Sequence, residues 1–180
     1  MRLDLLFVLA AYGTSLSSAA LNYTIVRAAN PTTDQQDAYT RIDAAMRLAT
    51  QRYNKITKRA NKQLRVEYNT GVQTADASWS GNIRFGSNRS YMNERTALHE
   101  ISHTLGVGQR KAFDDKCKSA AWPTALPLLR SWDGQSAKIS CGGSHFWPYG
   151  LNYDNEFSQR DADRHCLMVD AMLADGMDSY

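Results

Sequence analysis

Apolar residues recur at helical spacing between Thr33 and Asn54, where Ala38, Ile42, Ala45, Met46, Ala49 and Tyr53 share one face. The run Asn30-Pro31-Thr32-Thr33-Asp34 ahead of it carries start signals, a proline followed by capping residues. Leu64-Arg65-Val66-Glu67-Tyr68 alternates and predicts a strand, which Asn69-Thr70-Gly71 then turns. A second strand is expected at Asn82–Phe85, between Gly81 and Gly86. Helical spacing returns near Asn93. Leu98, Ile101 and Leu105 lie at i, i+3 and i+7 and predict a buried stripe, with Gly106 placed to end the helix in the left-handed conformation. Residues 107–160, with Pro123, Pro127, Pro148 and several glycines, read as irregular. A last helix is expected over Asp161–Ala174, with Leu167, Met168, Ala171 and Met172 apolar. Helix, strands, helix, long loop and helix together predict a small α+β domain.

The chain has 180 residues, 43% hydrophobic and 22% charged, which fits one domain able to bury a core. Residues 1–20 read as a signal peptide, with Arg2 in the n-region, an apolar stretch from Leu5 to Ala11, and Ser18-Ala19-Ala20 at a cleavage site. The mature domain, 21–180, is then secreted. Two sequons, Asn22-Tyr23-Thr24 and Asn88-Arg89-Ser90, fit that compartment in a eukaryotic host. An oxidising compartment permits one disulfide among Cys117, Cys141 and Cys166. Cys117 and Cys141 flank the same loop-like region and are the expected pair, while Cys166 reads as a small buried residue on the last helix. No later stretch is apolar enough to span a bilayer. The net charge of +3 is scattered apart from Lys55–Arg65, which reads as a solvated helix end. Neither a membrane nor a nucleic acid is expected as a partner.

The chemistry concentrates at His99-Glu100-Ile101-Ser102-His103. Histidines four apart on a helix lie on one face, one turn apart, and two such rings bind one zinc at about 2.0–2.1 Å each. Glu100 follows His99 and points near the metal without having to ligate it, where a general base for water belongs. With only four His and four Glu in the chain, a chance HExxH is on the order of a few in a thousand.

His99-Glu100-Ile101-Ser102-His103-Thr104-Leu105-Gly106 resembles the first part of the metzincin signature, HExxHxxG. Metzincins carry a third His or Asp three residues after that glycine, and Gln109 stands there instead, so the third ligand must come from elsewhere. The blocks His99–Gly108, His145–Tyr153 and His165–Met172 are also similar to blocks of secreted microbial proteins. These resemblances imply a zincin-like fold; Zn2+ is the expected cofactor, and a protein or peptide is the expected substrate because peptide hydrolysis is the commonest use of HExxH.

By elimination His145 is the expected third ligand, between Gly142-Gly143-Ser144 and an aromatic block. His165 on the last helix and the carboxylates Asp154 and Glu156 are the alternatives. Tyr149 and Tyr153 are candidate donors to an oxyanion, or else packing residues. Met168 reads as core, with a place beneath the metal, as in the methionine turn of metzincins, as the alternative. Trp122, Trp132 and Trp147 read as filling a small core under loops, with a cleft lining as the alternative. The resemblance further implies an edge strand ahead of the active helix that aligns substrate, for which Asn82–Phe85 is the candidate. The reading is a zinc metallopeptidase with Glu100 as general base. The alternative is a secreted binding or effector protein with a structural or inactive zinc site.

Overall fold

The computed structural model describes residues 20–179, so all but the last residue of the expected signal segment lies outside the described residues. Strand β1 (Leu21–Val26), helix α1 (Thr33–Ile56) and strand β2 (Lys62–Tyr68) form a parallel β-α-β unit. Strands β3 (Ala75–Ala77) and β4 (Asn82–Phe85) complete a four-stranded sheet of order β1-β2-β4-β3. β4 runs parallel to β2, and β3 is antiparallel to β4. Helices α2 (Glu94–Thr104), α3 (Lys111–Ser119) and α4 (Ala125–Asp133) follow. Next comes a hairpin of β5 (Ser140–Gly142) and β6 (His145–Trp147), and helix α5 (Gln159–Ala174) ends the fold. The architecture is α+β.

α1 begins where its cap dictates. Thr32 accepts from the Gln35 amide while the Gln35 side chain accepts from the Thr32 amide, a reciprocal capping box. Its apolar face, Ala38 to Tyr53, is buried in the core, where α1 packs against β1, β2 and α2. α2 packs against α1, α5 and the β3–β4 side of the sheet, which leaves only Glu94 of its residues outside the buried class. Leu98, Ile101 and Leu105 are in the core, and the helix ends at Gly106, whose φ is +127°. Arg52 of α1 pairs with Glu94 of α2 and Asp163 of α5, tying the three helices together.

Residues 107–160 are more regular than expected. α3 escapes a periodicity reading because it buries only Ala112 and Phe113. α4 holds Pro127 within its first turn, where a missing N–H breaks no intrahelical bond, so this proline does not interrupt the helix. Cys117 on α3 and Cys141 on β5 form a disulfide, and Cys166 is buried as a free thiol. Met168 and Trp122 are core residues, whereas Trp132 and Trp147 are half-buried. The basic run is largely paired: Arg59 with Asp170, Arg65 with Glu67, and Lys62 over the Trp79 ring. No helix among the described residues is long and apolar enough to cross a membrane.

Candidate metal centre

α2 presents His99 and His103 one turn apart on the face that floors a cleft. Each ring is oriented from behind. His99 Nδ1 lies 2.8 Å from the Gly150 carbonyl, and His103 Nδ1 lies 2.8 Å from the Val107 carbonyl. A carbonyl oxygen only accepts, so both Nδ1 atoms carry the proton and both Nε2 atoms keep a free lone pair. Burial pulls the pKa of both imidazoles below the ordinary histidine value, His99 strongly, which keeps them neutral. The two Nε2 atoms face each other at 3.1 Å. Two neutral lone pairs this close repel unless a cation lies between them. Nitrogens bound to one tetrahedral zinc stand about 3.3 Å apart, from bond lengths of about 2.05 Å.

His145 closes the group. It lies on β6, directly across the hairpin from Gly142. Its ring is stacked 5.1 Å from that of His99 and sits edge-on 5.3 Å from that of His103. One ligand atom from each of His99, His103 and His145 lies within 4.8 Å of the others. Gly108 lets the hairpin come this close. A Cβ at that position would stand 2.1 Å from the Ser144 carbonyl oxygen, and its φ of +63° favours glycine. The three histidines thus form a donor set able to hold a metal ion, and neutral imidazoles suit zinc.

Glu100 is buried in the wall of the same cleft, and no hydrogen bond or ion pair within the described residues engages its carboxylate. Burial, with a smaller push from the Asp76 carboxylate against the pull of Arg95, raises its pKa to about 8. A divalent cation alongside draws it back towards the ionised form.

The other ligand candidates are committed elsewhere. Asp154 Oδ1 lies 2.7 Å from Arg95 Nε. Glu156 accepts from Trp147 Nε1 at 3.2 Å and from the Asn152 amide at 2.7 Å. His165 sits behind the site, with Nδ1 2.7 Å from the Tyr149 carbonyl and Nε2 3.0 Å from the Tyr53 hydroxyl and 3.1 Å from the Leu98 carbonyl. It therefore binds α5 to α1, to α2 and to the segment that orients His99. Burial lowers its pKa to about 4.

That shift carries a stability prediction. Between pH 6.5 and 4 the unfolded chain takes up a proton here that the folded protein excludes. The contribution is complete above pH 6.5 and is lost as the pH falls towards 4, on the order of 3 kcal/mol in all. Urea unfolding of the parent and of His165→Gln at pH 7 and pH 4.5 measures it. The parent should lose more stability on acidification than the variant, and equal losses would clear His165 of any part in the acid response.

One expectation is corrected, and of the two readings of Tyr149 and Tyr153 the oxyanion one finds no support. Neither Tyr149 nor Tyr153 is among the residues lining the cleft. Tyr149 donates to Asp133 at 2.8 Å and contacts Arg164, while Tyr153 projects into solvent. Asn82–Phe85 is not an edge strand, because β4 lies between β2 and β3. The edge beside the cleft is β3. Gly86 N donates to the Thr74 carbonyl (2.7 Å), Ser78 N donates to the Asn82 carbonyl (3.0 Å), and Asp76 faces Arg84. Residues 74, 76 and 78 therefore bond to β4, and the N–H and C=O groups of Ala75 and Ala77 point away from it. Both alanines line the cleft, as do Tyr91, Arg95, Gln109 and Asn152, none of which has a spacing signal of the HExxH kind.

Comparisons of the chain with protein-family models, with curated proteins and with solved structures return no match.

Proposed function

We propose that the protein is a secreted zinc metallopeptidase with a zincin-like active site. The observation that carries this reading is the meeting of His99, His103 and His145 in one cleft with the unpartnered Glu100. His99, His103 and His145 would hold a zinc ion, which when bound would supply a Lewis acid and acidify water. Glu100 accepts the proton of the attacking water on a carboxylate oxygen and passes it to the leaving nitrogen. The Gly150 and Val107 carbonyls fix the two helical imidazoles throughout, so the ligands need little reorganisation during reaction.

A peptide bond is favoured over other amides and esters by the wall opposite α2. The outward main-chain groups of Ala75 and Ala77 match the donors and acceptors of an extended peptide, which pairs with such an edge as an added strand. The cleft, about 390 Å³, has room for a few residues of substrate. The N-terminal pattern of residues 1–20 and the Cys117–Cys141 disulfide support export to an oxidising compartment.

Metal analysis of the purified chain together with casein hydrolysis tests the reading. About one zinc per chain is expected. Hydrolysis should stop when 1,10-phenanthroline removes the metal and return when zinc is restored. A chain that takes up no zinc when it is supplied would transfer the reading to a secreted binding or effector protein, and cleavage indifferent to the chelator would defeat the metal-dependent mechanism.

A further inference from the structure

Arg95 is the one Lys or Arg side chain that lines the cleft among the described residues, and it is only 6% exposed. A buried guanidinium is costly without a matching negative charge. Its contacts supply little of one. Nη1 donates to the Leu151 carbonyl at 2.9 Å and Nη2 to the Thr96 hydroxyl at 3.2 Å, both neutral acceptors. Asp154 Oδ1 is 2.7 Å from Nε but off the N–H axis, so this is an ion pair and Nε has no aligned acceptor. The Asp154 side chain is also 78% exposed, where water and salt screen its charge. The other carboxylates of the cleft are occupied by other tasks. Asp76 makes a bidentate pair with Arg84, and Glu100 is the base of the proposed mechanism.

A second orphan lies beside this one. Asn152 Nδ2 donates to the Phe146 carbonyl at 3.0 Å, which fixes Oδ1 as an acceptor, and that buried Oδ1 has no partner. Asn152 lines the cleft and follows Leu151, the residue whose carbonyl Arg95 holds. A positive donor group and a neutral acceptor thus wait at one end of the cleft, with the Tyr91 ring 5.9 Å from the guanidinium. Arg95 precedes His99 by four residues, so it stands one helical turn, about 6 Å, from the metal ligands towards the start of α2. An extended peptide advances about 3.3 Å per residue, so the guanidinium is placed for a group one or two residues from the scissile bond.

We propose that Arg95, with Asn152 beside it, forms a carboxylate subsite, so that the cleft selects peptides bearing a negative carboxylate one or two residues from the scissile bond. The guanidinium takes the carboxylate, and Asn152 Oδ1 accepts from a main-chain N–H of the same stretch. The carboxylate comes from an Asp or Glu side chain or from a free C-terminus. This inference rests on the peptidase reading for its substrate, but it makes a binding claim that is measured separately.

Fluorescein-labelled octapeptides read by anisotropy provide the test. Pairs differ by Glu against Gln at one position, each made with a free or an amidated C-terminus, and are titrated into the zinc-supplied parent, Arg95→Gln and Asp154→Asn. The parent should bind the carboxylate member about tenfold more tightly. Arg95→Gln should remove that preference, and Asp154→Asn, which removes the competing carboxylate, should increase it. The amidated series assigns the preference to the side chain or to the terminus. Equal binding of charged and neutral peptides by the parent, or an acidic preference that is unmoved in both variants, overturns the proposal. Cleavage of the same peptides separates the two claims. A carboxylate preference without cleavage defeats the peptidase reading and leaves the subsite, whereas cleavage without the preference does the reverse.

Discussion

Replacing Glu100 with glutamine should lower the rate of peptide hydrolysis by about 10²–10⁴-fold, the usual contribution of a positioned general base, while zinc content stays at the parent level. The separation of the two readouts follows from position. Glu100 follows His99 on α2 and lines the cleft, but it is not a member of the cluster whose ligand atoms converge. Glutamine keeps its size, so the packing of this buried stretch of α2 is retained, and only the ability to take a proton is lost. The kcat for a fluorogenic peptide and the metal content of the same preparation, compared with the parent, decide the matter. Undiminished turnover in Glu100→Gln would remove the carboxylate from the chemistry. A protein that used its metal only as scaffold or in binding a partner would show no change in either quantity.

Much of this site is local, and for that reason it was legible in the sequence. His99, Glu100 and His103 are fixed relative to one another by one helical turn, and α2 is itself marked by Leu98, Ile101, Leu105 and the glycine after it. The same holds for α1, whose apolar spacing and capping box agree, and for β4, which lies between two glycines. α5 begins two residues earlier than its apolar pattern suggests because Ser158 caps it through the Asp161 amide. What the spacing does not carry is long-range. β1 does alternate, with Leu21, Tyr23 and Ile25 turned inward, but its six residues contain a sequon and directly follow the expected cleavage site, and these processing signals mask the period. β3 is three residues long with no fully buried side chain, too short to show a period, yet it and not the more regular β4 supplies the edge. His145 is reached only by elimination among four histidines, because its approach depends on a hairpin that no local pattern encodes, even though the disulfide that helps to hold it is the expected pair. Arg95, at i−4 from His99, was legible on a helical wheel as a neighbour of the site, but not as a buried cation.

The dependence of the third ligand on distant structure leads to the second large effect. Alanine at His145 should weaken zinc binding by about 100-fold or more, beyond what loss of a partner behind a ligand costs, because two imidazoles remain where three are needed. Breaking the Cys117–Cys141 disulfide should act in the same direction but less strongly. His99 and His103 share a rigid, buried helix, whereas His145 rides on a two-stranded hairpin, an element with little stability of its own. The hairpin is held beside α2 by the buried Phe146 ring, the close approach of Ser144 to Gly108 and the disulfide to α3, with hydrogen bonds from Trp147 to Glu156 and from Asn152 to the Phe146 carbonyl. Residues 133–136 and 142–144 are exposed, so the strand leading to His145 has few other contacts. The disulfide closes a sequence separation of 24 residues, worth about 3 kcal/mol in a chain-entropy account. In the folded protein its removal frees β5, and the cost appears as a looser ligand rather than as unfolding of the main core, which α1, α2, α5 and the sheet build without it. Competition with a chromogenic chelator measures both effects, on His145→Ala and on a Cys117→Ser, Cys141→Ser double variant, with circular dichroism to follow the fold. A weakening of about tenfold with an unchanged spectrum is expected of the double variant. Parent-like affinity in His145→Ala would put the third ligand elsewhere, and would require Asp154 to leave Arg95 or Glu156 to leave Trp147 in order to supply it. Parent-like affinity in the double variant alone would mean that Phe146, anchored in the core, holds the hairpin in register and that the disulfide guards only the exposed strand.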